Sequence, residues 1–263
     1  MRIAIAGKGG SGKTTLAGTL ARLLARRGHS VIAIDGDTSP NLAQTLGISP
    51  AAGSELIALP SDLLVRREDE AGNARSELAF PVEEVLDRYA VAGPDGVRLL
   101  IMGRVEHAGR GCKCRAHAVA RNVLGEMLAY GNGAGQVIVD MEAGLEHLSR
   151  GTTQHVDMLL AVAEPYYRSL ETARRVCELA SELGIDQVQL VANKVRNAGD
   201  ADAIRSYAER HGLALGGEIP YDEAVVEAER RATPLLDVAG ADAPAAQAVG
   251  RLADALVTHA GGE

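Results

Sequence analysis

The chain has 263 residues, enough for one large α/β domain or two small ones, and 46% of them are hydrophobic, which suffices for a sizeable core. Aromatic residues make up only 3% and tryptophan is absent, so Ala, Val, Leu and Ile have to build that core, as in a buried parallel sheet covered by helices. The net charge of −8 argues against a broad nucleic-acid-binding face, and no apolar run reaches the length of a membrane-spanning helix.

The cysteine content and the N-terminal sequence indicate a cellular compartment. Three cysteines in a chain of this size fit a reducing environment, and the first residues enter a predicted strand without a signal-peptide pattern. We therefore expect a cytoplasmic protein that binds neither nucleic acid nor membrane.

Predicted strands and helices alternate along the chain. The strands are predicted at residues 2–6, 30–35, 97–102, 136–140, 158–162, 187–193 and 213–219, and the helices at 13–27, 117–130, 169–183, 200–211 and 241–259. This alternation favours an α/β fold with a doubly wound, mostly parallel sheet, which binds ligands at the carboxyl ends of its strands. Residues 50–95 are less regular, and we expect an insertion with a short hairpin and a helix at 82–89 within one domain.

The first predicted strand leads directly into a glycine-rich octet, Gly7-Lys8-Gly9-Gly10-Ser11-Gly12-Lys13-Thr14. The octet matches the phosphate-binding loop Gly-x-x-x-x-Gly-Lys-Thr, in which glycines allow backbone N–H groups to surround a phosphate. Lys13 is expected to reach the β- and γ-phosphates of ATP or ADP, and the Thr14 hydroxyl to bind Mg²⁺. The predicted nucleotide-binding residues of this segment are Gly9, Gly10, Ser11, Gly12, Lys13, Thr14 and Thr15.

Three further predicted strands end in polar side chains. One ends in Asp35-Gly36-Asp37 and another in Asp140. Carboxylates at such strand ends are candidate Mg²⁺ ligands, so Asp140 is expected near the metal, and Asp35 either joins it or holds the loop. A third strand ends in Asn193, whose amide offers a donor and an acceptor that suit the edge of adenine.

A pair of cysteines lies in a cationic, glycine-containing segment, Gly109-Arg110-Gly111-Cys112-Lys113-Cys114-Arg115. Its cationic neighbours favour thiolates, which are ligands for Zn²⁺, Cu⁺, Ni²⁺ and iron–sulfur clusters. Two such pairs at a two-fold axis would complete a four-coordinate site. A redox pair or two incidental loop cysteines are the alternatives, and Cys177 is expected in the core because it lies in a helical pattern.

With its additional lysine, Lys8, the octet resembles the deviant Walker A loop of an ATPase family that includes the MinD-type cell-division ATPases, the plasmid-partition ATPases and the nitrogenase iron protein. The resemblance implies a homodimer in which Lys8 reaches the nucleotide of the partner. It also implies that Asp37 positions or deprotonates the attacking water, so that Lys8, Lys13 and Asp37 are the catalytic residues. Pro220 and Asp222 are similar to a late loop of that family that closes over the base.

The resemblance is more specific for the CooC-type ATPases, which mature nickel carbon monoxide dehydrogenase, at residues 7–14, 35–41, 111–114 and 140–151. It implies an ATP-hydrolysing metallocentre maturation factor whose homodimer is promoted by nucleotide and metal. The metal, Ni²⁺ or Zn²⁺, would bind Cys112 and Cys114 at the dimer interface, and the client would be carbon monoxide dehydrogenase or a related metalloenzyme. Arg115 departs from the proline expected after the second cysteine.

Two alternative functions remain open. A reductase similar to the nitrogenase iron protein would hold a [4Fe–4S] cluster on the same four thiolates, although reductases of that family place their two cysteines far apart. A positioning ATPase similar to MinD or ParA would act on a membrane or on DNA. The predicted C-terminal helix, with Arg251 as its one arginine, lacks a basic face for lipid, and the negative net charge argues against DNA.

Overall fold

The computed structural model describes residues 1–37, 40–49, 59–60, 63–68, 74–102, 135–141 and 156–260. The strands are β1 (Arg2–Gly7), β2 (Ser30–Asp35), β3 (Leu64–Glu68), β4 (Ala74–Leu78), β5 (Val91–Ala92), β6 (Arg98–Ile101), β7 (Gly135–Asp140), β8 (Met158–Ala163), β9 (Gln187–Val195) and β10 (Leu215–Pro220). The α-helices are α1 (Lys13–Arg26), α2 (Leu42–Leu46), α3 (Val82–Tyr89), α4 (Tyr167–Glu182), α5 (Ala198–Arg210), α6 (Glu223–Arg230), α7 (Leu235–Val238) and α8 (Pro244–Ala260), and a 3₁₀ turn spans Pro94–Gly96.

Eight strands form one sheet in the order β10-β9-β8-β1-β7-β2-β6-β5. Its neighbouring strands are parallel except for β5, which is antiparallel to β6. Near the centre, Ile3 of β1 pairs with Ile138 of β7 on one side and with Met158 of β8 on the other. The predicted α/β fold with a doubly wound, mostly parallel sheet is confirmed.

Helices cover both faces of the sheet, and each face has its own hydrophobic core. Alternate residues of a strand point to opposite faces, so Ile3 and Ile5 of β1 join one core, while Ala4 and Ala6 join the other. The first core includes residues of α1, α2, α6, α7 and α8, and the second includes residues of α3, α4 and α5. This arrangement places the loop between β1 and α1 at the carboxyl edge of the sheet.

Most observed elements lie where the sequence predicts them, with shifted ends. The strand β2 and the helix α3 have the predicted bounds, whereas β9 extends past residue 193 to Val195 and α8 begins at Pro244, later than predicted. The expected hairpin of the insertion is the antiparallel pair β3-β4. The short helices α2, α6 and α7 were not predicted, and the predicted helix at 117–130 lies outside the described residues. No helix in the described part of the chain is long and apolar enough to cross a bilayer.

Candidate nucleotide-binding site

The phosphate loop connects β1, a central strand of the sheet, to the helix α1. The helix begins at Lys13, directly after Gly12, whose φ of 97° lies in the left-handed region. A Cβ atom added to Gly12 would lie 2.3 Å from Nδ2 of Asn193, so glycine is needed at this position for both its backbone and its size. No described side chain caps the start of α1, which leaves its N–H groups available to an anion.

Lys13 lies inside this site. The residue is 8% exposed, and its Nζ donates to the carbonyl oxygen of Lys8 at 3.4 Å, across the loop. Burial lowers the pKa of the Lys13 ammonium, and the nearby carboxylates of Asp140 and Asp37 oppose that change. The structure thus brings the predicted catalytic residues Lys13 and Asp37 and the predicted Mg²⁺ ligand Asp140 close together.

Asp140, at the end of β7, has an incompletely satisfied carboxyl group. Burial raises its pKa to about 7, while a hydrogen bond from the Thr14 hydroxyl acts in the opposite direction. Two buried side-chain oxygens in the described part of the chain have no hydrogen-bond partner, Ser11 Oγ and Asp140 Oδ1. Since Mg²⁺ prefers hard oxygen ligands, a buried unpaired carboxylate oxygen beside a hydroxyl fits this cation. The residues present therefore fit the predicted Mg²⁺ site, and the assignment of Thr14 and Asp140 as its ligands stays a prediction.

Asp35 lies at the end of β2 and is fully buried. Its Oδ1 accepts the N–H of Asp37 at 3.1 Å, and its Oδ2 accepts the N–H of Leu42 at 2.9 Å. Burial raises the pKa of Asp35, and these backbone donors counteract the rise. The contacts favour the second of its two expected roles, that of holding the loop after β2, and a role in Mg²⁺ binding stays a prediction.

Asn193 and Lys194, near the end of β9, both contact the phosphate loop. Asn193 Nδ2 donates to the carbonyl of Ser11 at 2.7 Å, and Lys194 Nζ donates to that of Gly10 at 2.6 Å. Lys194 also donates to Oε1 of Glu164 at 2.8 Å. Sequence reasoning singled out Asn193 but missed Lys194 and Glu164. No spacing signal connects these two residues, because Glu164 follows β8 and Lys194 lies in β9, 30 residues further along the chain.

A cavity of about 530 Å³ opens beside the loop, a volume suited to a nucleotide. Asp222 joins two helices at its wall: one carboxylate oxygen accepts the N–H of Ala224 at 2.9 Å, and the other accepts that of Ala245 at 3.0 Å. The lining residues include Gly10, Gly12, Lys13, Thr14, Thr15, Asn193, Lys194, Arg196, Pro220, Tyr221, Asp222, Val225 and Val249. The structure therefore brings the predicted base-contacting residues to one cavity, and their contacts with adenine stay predictions.

Lys8 contributes its carbonyl oxygen to the contact with Lys13, whereas its side chain lies against an aromatic ring. Its Nζ is 5.4 Å from the centroid of the Tyr166 ring, close enough for a cation–π contact. Tyr166 is 46% exposed and its neighbour Tyr167 is 71% exposed, so both residues present aromatic surface to solvent. The predicted contact of Lys8 with the nucleotide of a partner stays a prediction.

The predicted cysteine site lies at Cys112 and Cys114, outside the described residues. Within the residues that the structure does describe, no group of three or more His, Cys, Asp or Glu side chains is arranged to hold a metal ion. Cys177 is buried in α4, as predicted, and burial raises the pKa of its thiol to about 12.

Comparison with known proteins agrees with this site. The family model for the CobQ/CobB/MinD/ParA nucleotide-binding domain matches residues 3–235. The carbon monoxide dehydrogenase accessory protein CooC of Rhodospirillum rubrum is 37% identical over 245 residues, which cover 92% of this chain and 91% of CooC. An uncharacterized ATP-binding protein of Methanocaldococcus jannaschii is 36% identical over 243 residues, with 89% of this chain and 91% of that protein covered.

Solved structures share the fold at lower identity. The septum site-determining protein MinD of Pyrococcus horikoshii, complexed with Mg-ADP, matches with a TM-score of 0.72 and 21% identity, covering 99% of this chain and 97% of MinD. A cobyrinic acid a,c-diamide synthase of Mycobacterium smegmatis with a bound ATP analogue and magnesium matches with a TM-score of 0.67 and 17% identity. The match covers 99% of this chain and 96% of the synthase. The phosphate loop, the sheet and the family match agree, and the chain belongs to the CobQ/CobB/MinD/ParA nucleotide-binding family, as a MinD/ParA-type ATPase whose relatives include CooC.

Proposed function

We propose that this ATPase is a dimeric metallocentre maturation factor that uses ATP hydrolysis to help insert nickel into carbon monoxide dehydrogenase or a related metalloenzyme. The observation that carries the proposal is the 37% identity to CooC, a carbon monoxide dehydrogenase accessory protein, over 92% of the chain. The solved MinD structures support the fold alone, because they are only 21–22% identical to this chain.

The nucleotide site contains the groups that ATP hydrolysis requires. Backbone N–H groups of the loop and of the start of α1 would surround the phosphates, and the buried Lys13 ammonium adds a positive charge. Mg²⁺ bound by Thr14 and Asp140 would neutralise charge on the phosphate oxygens. Asp37, which lies near enough to Lys13 and Asp140 to influence both pKa values, would orient or deprotonate the attacking water.

The proposed metal site uses Cys112 and Cys114 from each of two protomers. Four thiolates suit nickel as the transported ion, with Zn²⁺ or a [4Fe–4S] cluster as other occupants of the same donor set. If Lys8 contacts the partner's nucleotide, dimer formation and nucleotide binding become coupled, and the interfacial metal site is coupled to both. Such coupling would allow ATP hydrolysis to release the metal to a client.

The proposal is tested by metal analysis of the full chain purified anaerobically, with and without ATP, followed by activation of nickel-free carbon monoxide dehydrogenase. We expect one nickel ion per dimer and ATP-dependent transfer of that nickel to the enzyme. The variants Cys112→Ser and Cys114→Ser should lose the metal, whereas Cys177→Ala, which removes a buried thiol elsewhere, should retain it. Brown protein with stoichiometric iron would favour the reductase, and metal retained after both substitutions would overturn the cysteine site.

A further inference from the structure

The strand β9 has an irregularity directly beside the phosphate loop. Ala192 pairs with Glu218 of β10 and Val195 pairs with Pro220, so β9 contains one more residue than β10 between these two pairs. Lys194 lies in this bulge with a φ of 59°, in the left-handed region that side chains with a Cβ atom disfavour. Bulges and strained residues of this kind occur where a strand redirects a side chain beside a functional site.

The bulge directs two consecutive side chains to the same loop. In a regular strand, neighbouring side chains point to opposite faces. Here Asn193 donates to the Ser11 carbonyl at 2.7 Å, and Lys194 donates to the Gly10 carbonyl at 2.6 Å. Because C=O and N–H point in opposite directions across a planar trans peptide, fixing the Ser11 carbonyl also fixes the direction of the Gly12 N–H. Two successive carbonyls of the loop are thus held by two successive residues of β9.

Glu164, which follows β8, fixes the position of Lys194. The residue is 7% exposed, and its Oε1 accepts from Lys194 Nζ at 2.8 Å, while its Oε2 accepts from the Tyr166 hydroxyl. The Glu164 N–H donates to Oγ of Ser169 at 3.0 Å, which fixes the backbone of the carboxylate as well. A free lysine side chain samples many rotamers, so an ion pair with a buried carboxylate keeps its ammonium on the Gly10 carbonyl.

We propose that Lys194 and Glu164 form a clamp that holds the phosphate loop in its nucleotide-binding conformation, with both as positioning residues. The glycines at 9, 10 and 12 make the loop flexible, and ordering it only when the nucleotide arrives would reduce affinity. A clamp that orders the loop beforehand removes that cost. The inference rests on the ATP-binding part of the proposed function and is independent of metal and client.

The test measures dissociation constants of Mg-ATP and Mg-ADP by titration calorimetry, steady-state kcat and KM, and thermal unfolding, all on the full chain without added transition metal. Lys194→Met should raise the dissociation constants of both nucleotides about tenfold, since a charge-assisted hydrogen bond to the loop is lost. The loss should appear in KM, with kcat at saturating ATP unchanged. Lys194→Arg should restore affinity to within about threefold, because a guanidinium also donates to a carboxylate and a carbonyl.

Glu164→Gln should weaken the binding of both nucleotides as well. The double variant Glu164→Gln/Lys194→Met should bind no more weakly than Lys194→Met, because the two residues act through one contact. The matched control is Arg205→Met, which removes a cation from an ion pair with Glu218, outside the lining of the cavity, and should bind as the parent does.

Three results would overturn the clamp. One is unchanged affinity for both nucleotides in Lys194→Met. Another is a loss of affinity for ATP with unchanged affinity for ADP, which would indicate that Lys194 contacts the γ-phosphate. The third is full additivity in the double variant, which would show that Glu164 acts independently of Lys194. Each of these would leave the metal proposal untouched, and a failure to find metal would leave the clamp untouched.

Discussion

Three lysines lie around the phosphate loop in different surroundings. Lys13 is buried, and burial lowers its pKa; Lys8 lies against an exposed tyrosine ring; and Lys194 pairs with a buried carboxylate. Because Lys13 is buried near two carboxylates, we expect it to act on the nucleotide of its own protomer. Because Lys8 lies beside an exposed ring, we expect it to be accessible to a second protomer. Substitutions of these residues should therefore separate nucleotide binding from later steps.

We expect Lys13→Ala to abolish nucleotide binding, because the positive charge inside the loop is lost. Lys8→Ala should retain binding but lose hydrolysis and nucleotide-driven dimerisation, since it removes the cation that we propose Lys8 supplies to the partner's nucleotide. Calorimetry, phosphate release and sedimentation velocity measure the three properties. Hydrolysis at the parental rate by Lys8→Ala would show that the deviant-loop interpretation is wrong.

Asp37→Asn should bind Mg-ATP and hydrolyse it about 10²–10⁴ times more slowly, the usual loss when a group that orients or deprotonates water is removed. The variant should accumulate as an ATP-bound dimer. Single-turnover hydrolysis and gel filtration with ATP test both expectations. Asp186→Asn, at an exposed aspartate before β9, is a control for the loss of one negative charge. Normal turnover by Asp37→Asn would remove this residue from the catalytic set.

At the scale of elements, Arg22 connects the loop helix α1 to two other segments. Its Nε donates to Asp95 at 2.7 Å and its Nη1 donates to Asp237 in α7 at 2.8 Å, with only 4% of the arginine side chain exposed. Partial burial alone would raise the pKa of Asp95, but hydrogen bonds from Arg22 and Arg26 hold it below its ordinary value. The network holds α1, the helix that follows the loop, against α7 and the 3₁₀ turn.

Arg22→Met should lower the free energy of unfolding by about 1–3 kcal/mol at neutral pH, because Asp237 loses its ion pair with Arg22 and Asp95 keeps only its ion pair with Arg26. The folded-state pKa of Asp95 is depressed, so its contribution is complete above its unfolded value of 3.8 and is lost as the pH falls through the lower folded value. The difference between parent and variant should therefore shrink in acid. Urea unfolding across that range measures it, and Arg88→Met, which breaks an exposed pair, should change stability little. If the stability difference between the parent and Arg22→Met stayed constant as the pH falls, the contribution assigned to Asp95 would be wrong.

The sequence was sufficient to predict the elements that have a clear hydrophobic pattern. The strand β2 and the helix α3 are predicted from their local hydrophobic pattern, and the phosphate loop is predicted from the spacing of its glycines, lysine and threonine. The short helix α6 was missed because much of its definition comes from a tertiary contact, the Asp222 carboxylate that also binds Ala245. Lys194 and Glu164 were missed because the bulge in β9 depends on its register with β10. Contacts between strands that are distant in sequence leave no local pattern.

At the scale of the whole molecule, the proposed dimer would share one metal site, formed by Cys112 and Cys114 of both protomers. We expect Ni²⁺ or Zn²⁺ to promote dimerisation even without nucleotide, because four thiolates repel one another unless a cation joins them. Sedimentation equilibrium with and without metal, with Cys112→Ala as the control, measures this. A stoichiometry of one metal per monomer would contradict the shared site.

The central position of β1 also determines when the nucleotide site can form as the chain is synthesised. Arg2 pairs with Val137 and Ile3 with Met158, so the strand that supports the phosphate loop finds its neighbours only after more than half of the chain has been made. The proposed clamp comes later still, because Lys194 joins Glu164 only after β9 has been made, and Val249 in α8 is a still later residue of the cavity lining. Such distant pairings fold slowly, and the nucleotide binds only the finished arrangement. ATP should therefore slow unfolding of the native protein and leave the rate of its early folding steps unchanged.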